Sequence, residues 1–151
     1  HLLKVVVPFI ERAYPAVSKR EGRLLVGFSK SGWGAWTLLL RHPDVFQKAA
    51  AWDAPLMKDA PNQFGMGPIF ASQENFERYE VTKLLAQRAD LLRKTERLVL
   101  TGHGGFREHH QQTHQLLERL GIHHDYRDGP NRKHHWNSGW LEEAVGLLVE
   151  E

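Results

Sequence analysis

The feature that most constrains this chain is a crowded junction between a strand and a helix. Arg23-Leu24-Leu25-Val26-Gly27-Phe28 is a short apolar run and reads as a buried strand. From Ser31 to Arg41, Trp33, Trp36, Leu39 and Leu40 recur at steps of three and four, the spacing of one helix face. A strand running directly into a helix brings two backbones nearly into contact. Gly27, Ser31, Gly32 and Ala35 supply the small surface this demands. His42-Pro43 stops the helix, because the residue before Pro avoids helical backbone angles. Phe46 to Trp52, mostly Ala, reads as a second strand. Strand, helix and strand within about 30 residues is the βαβ pattern of a parallel sheet.

The flanking pattern agrees with that architecture. His1 to Tyr14 carries Leu2, Leu3, Val6, Val7, Phe9 and Ile10 on one broad helix face, with Pro8 marking a kink or a start. Pro55 to Ser72 is broken by Pro55, Pro61, Gly65, Gly67 and Pro68 and reads as a long loop or a lid over a site. Ser72 is suited to cap a short helix through Phe76 and Tyr79, and Leu84, Leu85, Leu91 and Leu92 suggest more helix. Arg97 to Thr101 predicts a third strand, Gly102-His103-Gly104-Gly105 a tight turn, and Glu108 to Leu120 a helix capped by Gly121. Ile122 to Arg127 predicts a fourth strand, and Gly139 to Val149 the last helix. The expected organisation is one domain over 1–151, with 55–92 as a lid or insertion.

Composition sets the outer bounds. The chain has 151 residues, 41% hydrophobic, with five Trp, enough for one packed core. A net charge of +2 is no nucleic-acid signature. No run of about 18 apolar residues offers a membrane span. The absence of Cys excludes disulfides, a thiol nucleophile and Cys-ligated zinc. The expected protein is soluble, in the cytoplasm or secreted after processing, since the chain opens without Met and a trimmed start is open. No cofactor motif is present. The uneven quantity is His: eight of the ten lie after residue 100.

A Ser at a strand-to-helix elbow has its oxygen exposed and clear of the strand. Ser29 occupies that place, and the backbone N–H of Lys30 at the helix start can donate to an oxyanion. The bland alternative is an ordinary Gly/Ser turn. A Ser nucleophile needs a base. The loop Gly129 to Trp136 follows the fourth strand, at the sheet edge where functional loops gather, so His134 or His135 can serve. The base needs an orienting acid. Asp53 ends the second strand in an apolar setting where a carboxylate requires a partner. Glu108 is the alternate, although a first-turn helical Glu is already explained by the helix dipole.

On these residues the chain resembles the serine esterase branch of the α/β-hydrolase superfamily, the group of feruloyl, acetyl-xylan and enterochelin esterase-like proteins. The resemblance rests on Gly27 to Ala35, Arg41-His42-Pro43-Asp44-Val45-Phe46, Leu116 to Ile122, and His134-His135-Trp136 with Trp140-Leu141. It implies a three-layer α/β sandwich with a mostly parallel sheet, in which this chain corresponds to the C-terminal part and lacks the N-terminal strands. It implies hydrolysis of a small-molecule carboxylic ester through an acyl-enzyme, with Ser29 as nucleophile. The family's base precedes a Trp by two residues, which assigns the role to His134 and leaves His135 second. Two departures stand out. The usual acid position reads His103-Gly104-Gly105-Phe106, which favours Asp53. The second oxyanion donor belongs to the segment not represented, so a missing N-terminal segment or self-association is expected. Phe28, Trp52 and the Phe64–Phe70 loop are candidate pocket walls. The competing reading is a catalytically inactive hydrolase-like module for binding or assembly. His110 and His114, at i and i+4, have zinc-ligand spacing, but their Gln-rich surroundings read as a polar outer face, and no metal is assigned.

Overall fold

The computed structural model describes residues 1–150. Its centre is a sheet of four parallel strands in the order β1-β2-β3-β4, formed by β1 (Leu24–Phe28), β2 (Lys48–Trp52), β3 (Leu98–His103) and β4 (Asp125–Asn131). Between and around them run α1 (Val7–Ala13), α2 (Lys30–Arg41), α3 (Gly67–Phe70), α4 (Gln73–Glu77), α5 (Val81–Leu92), α6 (Arg107–Leu120) and α7 (Leu141–Val149). Leu2–Val6 winds as a wide π turn directly into α1, and Pro8 sits in the first turn of α1.

Side-chain alternation along the strands divides the core into two faces. Ala49, Ala51, Leu98 and Leu100 pack with Trp33, Trp36, Leu39, Leu40, Leu85 and Leu117 from α2, α5 and α6. Ala50, Trp52 and Val99 point the other way, against Trp140, Ala144 and Leu148 around α7. Helix, sheet and helix make three layers. β2 can be mostly Ala because α2 lies close upon it. A Cβ on Gly32 would come within 2.8 Å of the Ala54 Cβ and the Gly27 carbonyl, and one on Gly27 within 2.2 Å of the Ser31 carbonyl. The small residues of the junction are therefore a steric requirement.

Arg97, 2% exposed, fixes the entry to β2: its guanidinium donates to the carbonyls of Gln47 (2.7 Å), Pro43 (2.7 Å) and Phe46. Ser72 caps α4 as expected, its hydroxyl accepting from Asn75 N–H at 3.1 Å. The expected fourth strand is displaced. Gly121 adopts φ +66°, Gly121 N–H donates to the Glu118 carbonyl, and Ile122 N–H donates to the Leu117 carbonyl. That paired pattern is a Schellman stop, and it uses the buried Ile122 as the apolar contact closing α6. Pairing begins only at Asp125, and the strand runs on to Asn131 through an irregularity at Gly129-Pro130, read from sequence as the start of a loop. Pro is tolerated there because β4 is an edge strand. The 55–92 span divides into a loop with short helices and α5, which packs on α2 with Leu84, Leu85 and Leu92 buried. Among the described residues no helix is long and apolar enough to cross a membrane.

Candidate active site

Ser29 and Asp53 directly follow β1 and β2, and Gly104 to Phe106 follow β3, so parallel strands carry all three to the carboxyl edge of the sheet. Ser29 has φ +55° and ψ −126°, a backbone conformation that L side chains rarely adopt. Packing holds it there. Ser29 N–H donates to the Trp52 carbonyl at 3.0 Å, and its own carbonyl accepts from Gly32 and Trp33 N–H in the first turn of α2. The Ser31 hydroxyl donates to the Phe28 carbonyl at 2.7 Å and accepts from Phe28 N–H at 3.2 Å, tying the helix start back to the strand end. Lys30, the first residue of α2, has an N–H that no intrahelical carbonyl can satisfy.

Asp53 is wholly buried, also with a positive φ, +44°. Its carboxylate accepts from Gly105 N–H at 2.9 Å and Phe106 N–H at 2.7 Å, and it is hydrogen-bonded to His134 Nδ1. Burial alone would raise its pKa. The bonds from His134 and from the backbone of Gly104, Phe106 and Gly105 outweigh that and hold the carboxyl below its ordinary value. Gly104 makes the approach sterically feasible: a Cβ there would lie 2.6 Å from Asp53 Oδ2 and 2.7 Å from the Arg132 carbonyl. His134 is also set by aromatic contact, with the Phe28 ring centroid at 4.6 Å and that of Phe106 at 5.5 Å.

The remaining sequence candidates lie elsewhere. Glu108 is exposed on the first turn of α6, where it accepts from Gln112 at 2.9 Å. His135 is exposed, its Nδ1 accepting from Asn137 N–H at 3.1 Å within its own loop. Trp52 cannot line a pocket: it is 0% exposed and stacks on Trp140 at 5.6 Å in the second core. Phe28 lies against Trp52, Trp140 and His134, so one side of its ring belongs to that core and the other supports the imidazole. The site joins Asp53 to His134; among the described residues no hydrogen bond links Ser29 to His134.

Two supporting residues were not assigned to this site from sequence. His110, read as part of an outer face, is 2% exposed, and its Nε2 accepts from Ala54 N–H at 2.9 Å, holding the chain just after Asp53. Burial lowers its pKa to about 4, so it is neutral near pH 7. The available signal was its step of three to Thr113 and seven to Leu117, both buried. His110 and His114 therefore do not form a ligand pair. The second is Phe106, which meets Phe64 edge-on at 5.7 Å, while Lys30 Nζ donates to the Phe64 carbonyl at 2.9 Å. These contacts tie the 55–72 loop to the site. The neighbouring Lys58 is buried and donates to Asn62 (2.6 Å) and Gln63 (3.2 Å). A wide cleft of about 540 Å³ lies at the far end of α2, lined by Arg41, Glu74, Arg78 and Lys83. It is removed from Ser29 by the length of that helix.

Comparison with solved structures places this arrangement in a known fold. The S-formylglutathione hydrolase FrmB of Staphylococcus aureus superposes with a TM-score of 0.74 at 18% identity, over 96% of this chain and 61% of that one. The fluorophosphonate-binding serine hydrolase FphF of Staphylococcus aureus gives 0.78 at 19%, over 97% and 61%. A ferulic acid esterase gives 0.73 at 20%, over 97% and 57%. The fold is that of the α/β-hydrolases, and the chain spans about three fifths of the length of these neighbours. A search of curated protein sequences finds no match. The Esterase family model, described as "Putative esterase", matches residues 1–140, and the chain belongs to that family.

Proposed function

We propose that this chain carries the reacting groups of a serine ester hydrolase, with Ser29 as nucleophile, His134 as base and Asp53 as the orienting acid. The observation that carries the reading is the buried Asp53 carboxylate bonded to His134 Nδ1 at the same sheet edge as the strained Ser29. With Nδ1 donating to Asp53, Nε2 is the free lone pair, which is the tautomer a general base needs.

In the proposed reaction Ser29 Oγ attacks the ester carbonyl carbon while His134 Nε2 takes its proton. The Lys30 N–H donates to the resulting oxyanion. Collapse breaks the carbonyl–alkoxy bond, and His134 returns the proton to the departing alcohol. Water, deprotonated by the same imidazole, attacks the acyl-enzyme and releases the acid and Ser29. Asp53 stays ionised throughout and supports the imidazolium. The Ser29–His134 bond is completed on substrate binding, as catalytic contacts commonly tighten only in the complex. The lid is the exposed part of the 55–72 loop around Phe64, which meets Phe106 beside His134, and the substrate is a small carboxylic ester.

Hydrolysis of a p-nitrophenyl ester tests the reading. Wild type turns over and Ser29→Ala does not, with unchanged circular dichroism. Equal rates in the two would refute it. The reading of a catalytically inactive module for binding or assembly draws on the unjoined Ser29 and His134. A folded wild-type chain with no turnover and no active-site labelling would favour it.

A further inference from the structure

A second group of ligating side chains stands at the opposite edge of the sheet. His114 and Glu118 are one turn apart on α6, and His124 lies in the link that leads into β4. One ligand atom from each lies within 4.8 Å of the others. In a parallel sheet the link before β4 is at the amino edge, whereas Ser29 and Asp53 follow the carboxyl ends of their strands. This cluster is therefore separate from the proposed catalytic centre.

The geometry specifies which nitrogens are free. His124 Nδ1 is 2.8 Å from the Ile122 carbonyl, which can only accept, so Nδ1 carries the proton and Nε2 is a bare lone pair. That Nε2 is 2.8 Å from His114 Nδ1, which must then donate to it. His114 lies flat on Tyr126, with centroids 4.2 Å apart and planes 18° apart, which holds its ring at 56° to that of His124. The Schellman stop at Gly121 folds the chain back and brings His124 beside the last turns of α6. A cleft of about 210 Å³, bordered by Glu118, Ile122, His123 and His124, opens the group to solvent.

We propose that His114, Glu118 and His124 form a binding site for a zinc-class divalent ion, with water as the fourth ligand. Two imidazoles and one carboxylate suit such an ion, whereas magnesium and calcium require mostly oxygen. A ligating His whose other nitrogen donates to a backbone carbonyl is the usual orienting device, and His124 has it in place. On binding, the ion takes the position of the shared proton. His114 gives up the Nδ1 proton and takes one on Nε2 through solvent, remaining neutral. The two nitrogens separate from 2.8 Å to roughly 3.3 Å, as two Zn–N bonds of about 2.0–2.1 Å at a tetrahedral angle require. The ion would pin the end of α6 to the start of β4.

The test is titration of the metal-free chain with Zn²⁺ by calorimetry, with Co²⁺ absorption reporting geometry. The expected result is one equivalent per chain. His124→Ala, His114→Ala and Glu118→Gln are each expected to bind at least ten-fold more weakly, while His134→Ala retains the site. A wild-type chain that takes up no equivalent would overturn the proposal. So would retention of that equivalent in His124→Ala, or its loss in His134→Ala. Should the variants fold poorly, Co²⁺ added to wild type must broaden the His114 and His124 ring resonances before any other His. Broadening elsewhere first overturns the assignment.

Discussion

Asp53 illustrates how much one residue can be asked to do. It is wholly buried, and two backbone N–H groups and His134 share its oxygens. Asp53→Asn replaces one acceptor oxygen by a donor and favours the wrong His134 tautomer, so kcat is expected to fall on the order of 10³- to 10⁴-fold. Single-turnover kinetics on the purified variant would check this, and near-wild-type turnover would remove Asp53 from the mechanism. His110 yields a second prediction, on stability. Its folded pKa of about 4 lies below the ordinary 6.5, so folding favours the neutral ring. That contribution is complete above pH 6.5 and is lost as pH falls to about 4, an interval worth about 3 kcal/mol. His42 and His109, also lowered chiefly by burial, act in the same direction. Asp53 does so too, but only below its ordinary 3.8. His110→Gln keeps an acceptor for Ala54 N–H and should flatten the dependence of urea midpoint on pH between 4.5 and 6.5. An unchanged slope would contradict the assignment.

Elements differ in how plainly the sequence announces them. The junction of β1 and α2 was legible because steric crowding leaves few residue types allowed at Gly27 and Gly32. Asp53 was legible as a carboxylate in an apolar run. The start of β4 was not, because Ile122 is apolar for a different reason: it closes the α6 stop before any strand begins. Trp52 was misassigned because a large aromatic beside a candidate site residue looks the same whether it faces a pocket or a second core, and only the α7 packing decides. His110 was obscured by Gln and His neighbours, although its spacing to Thr113 and Leu117 marks the inward face. The turn after β3 offers a test at this scale. Gly104→Ala places a Cβ 2.6 Å from Asp53 Oδ2, whereas a Cβ on Gly105 meets nothing within 4 Å. Gly104→Ala should cost about 1–3 kcal/mol of stability and most activity, and Gly105→Ala should cost neither. Comparable melting curves and rates for the two variants would refute that reading of the turn.

At the scale of the molecule, the four-stranded parallel sheet has unlike edges. The carboxyl edge gathers Ser29, Asp53 and His134, and the 55–72 loop is tied to it by Lys30 and the Phe64–Phe106 contact. The amino edge carries the His114, Glu118 and His124 group. The chain covers about three fifths of its structural neighbours, yet nucleophile, base and acid candidates all lie within it, because each follows one of the four strands it contains. In the proposed reaction His134 and Asp53 cooperate to activate Ser29. Fluorophosphonate labelling with peptide mapping tests it most directly. One adduct per chain is expected, on Ser29, formed much more slowly in His134→Ala and absent in Ser29→Ala. A folded chain that takes no label, or one labelled equally fast without His134, would contradict it.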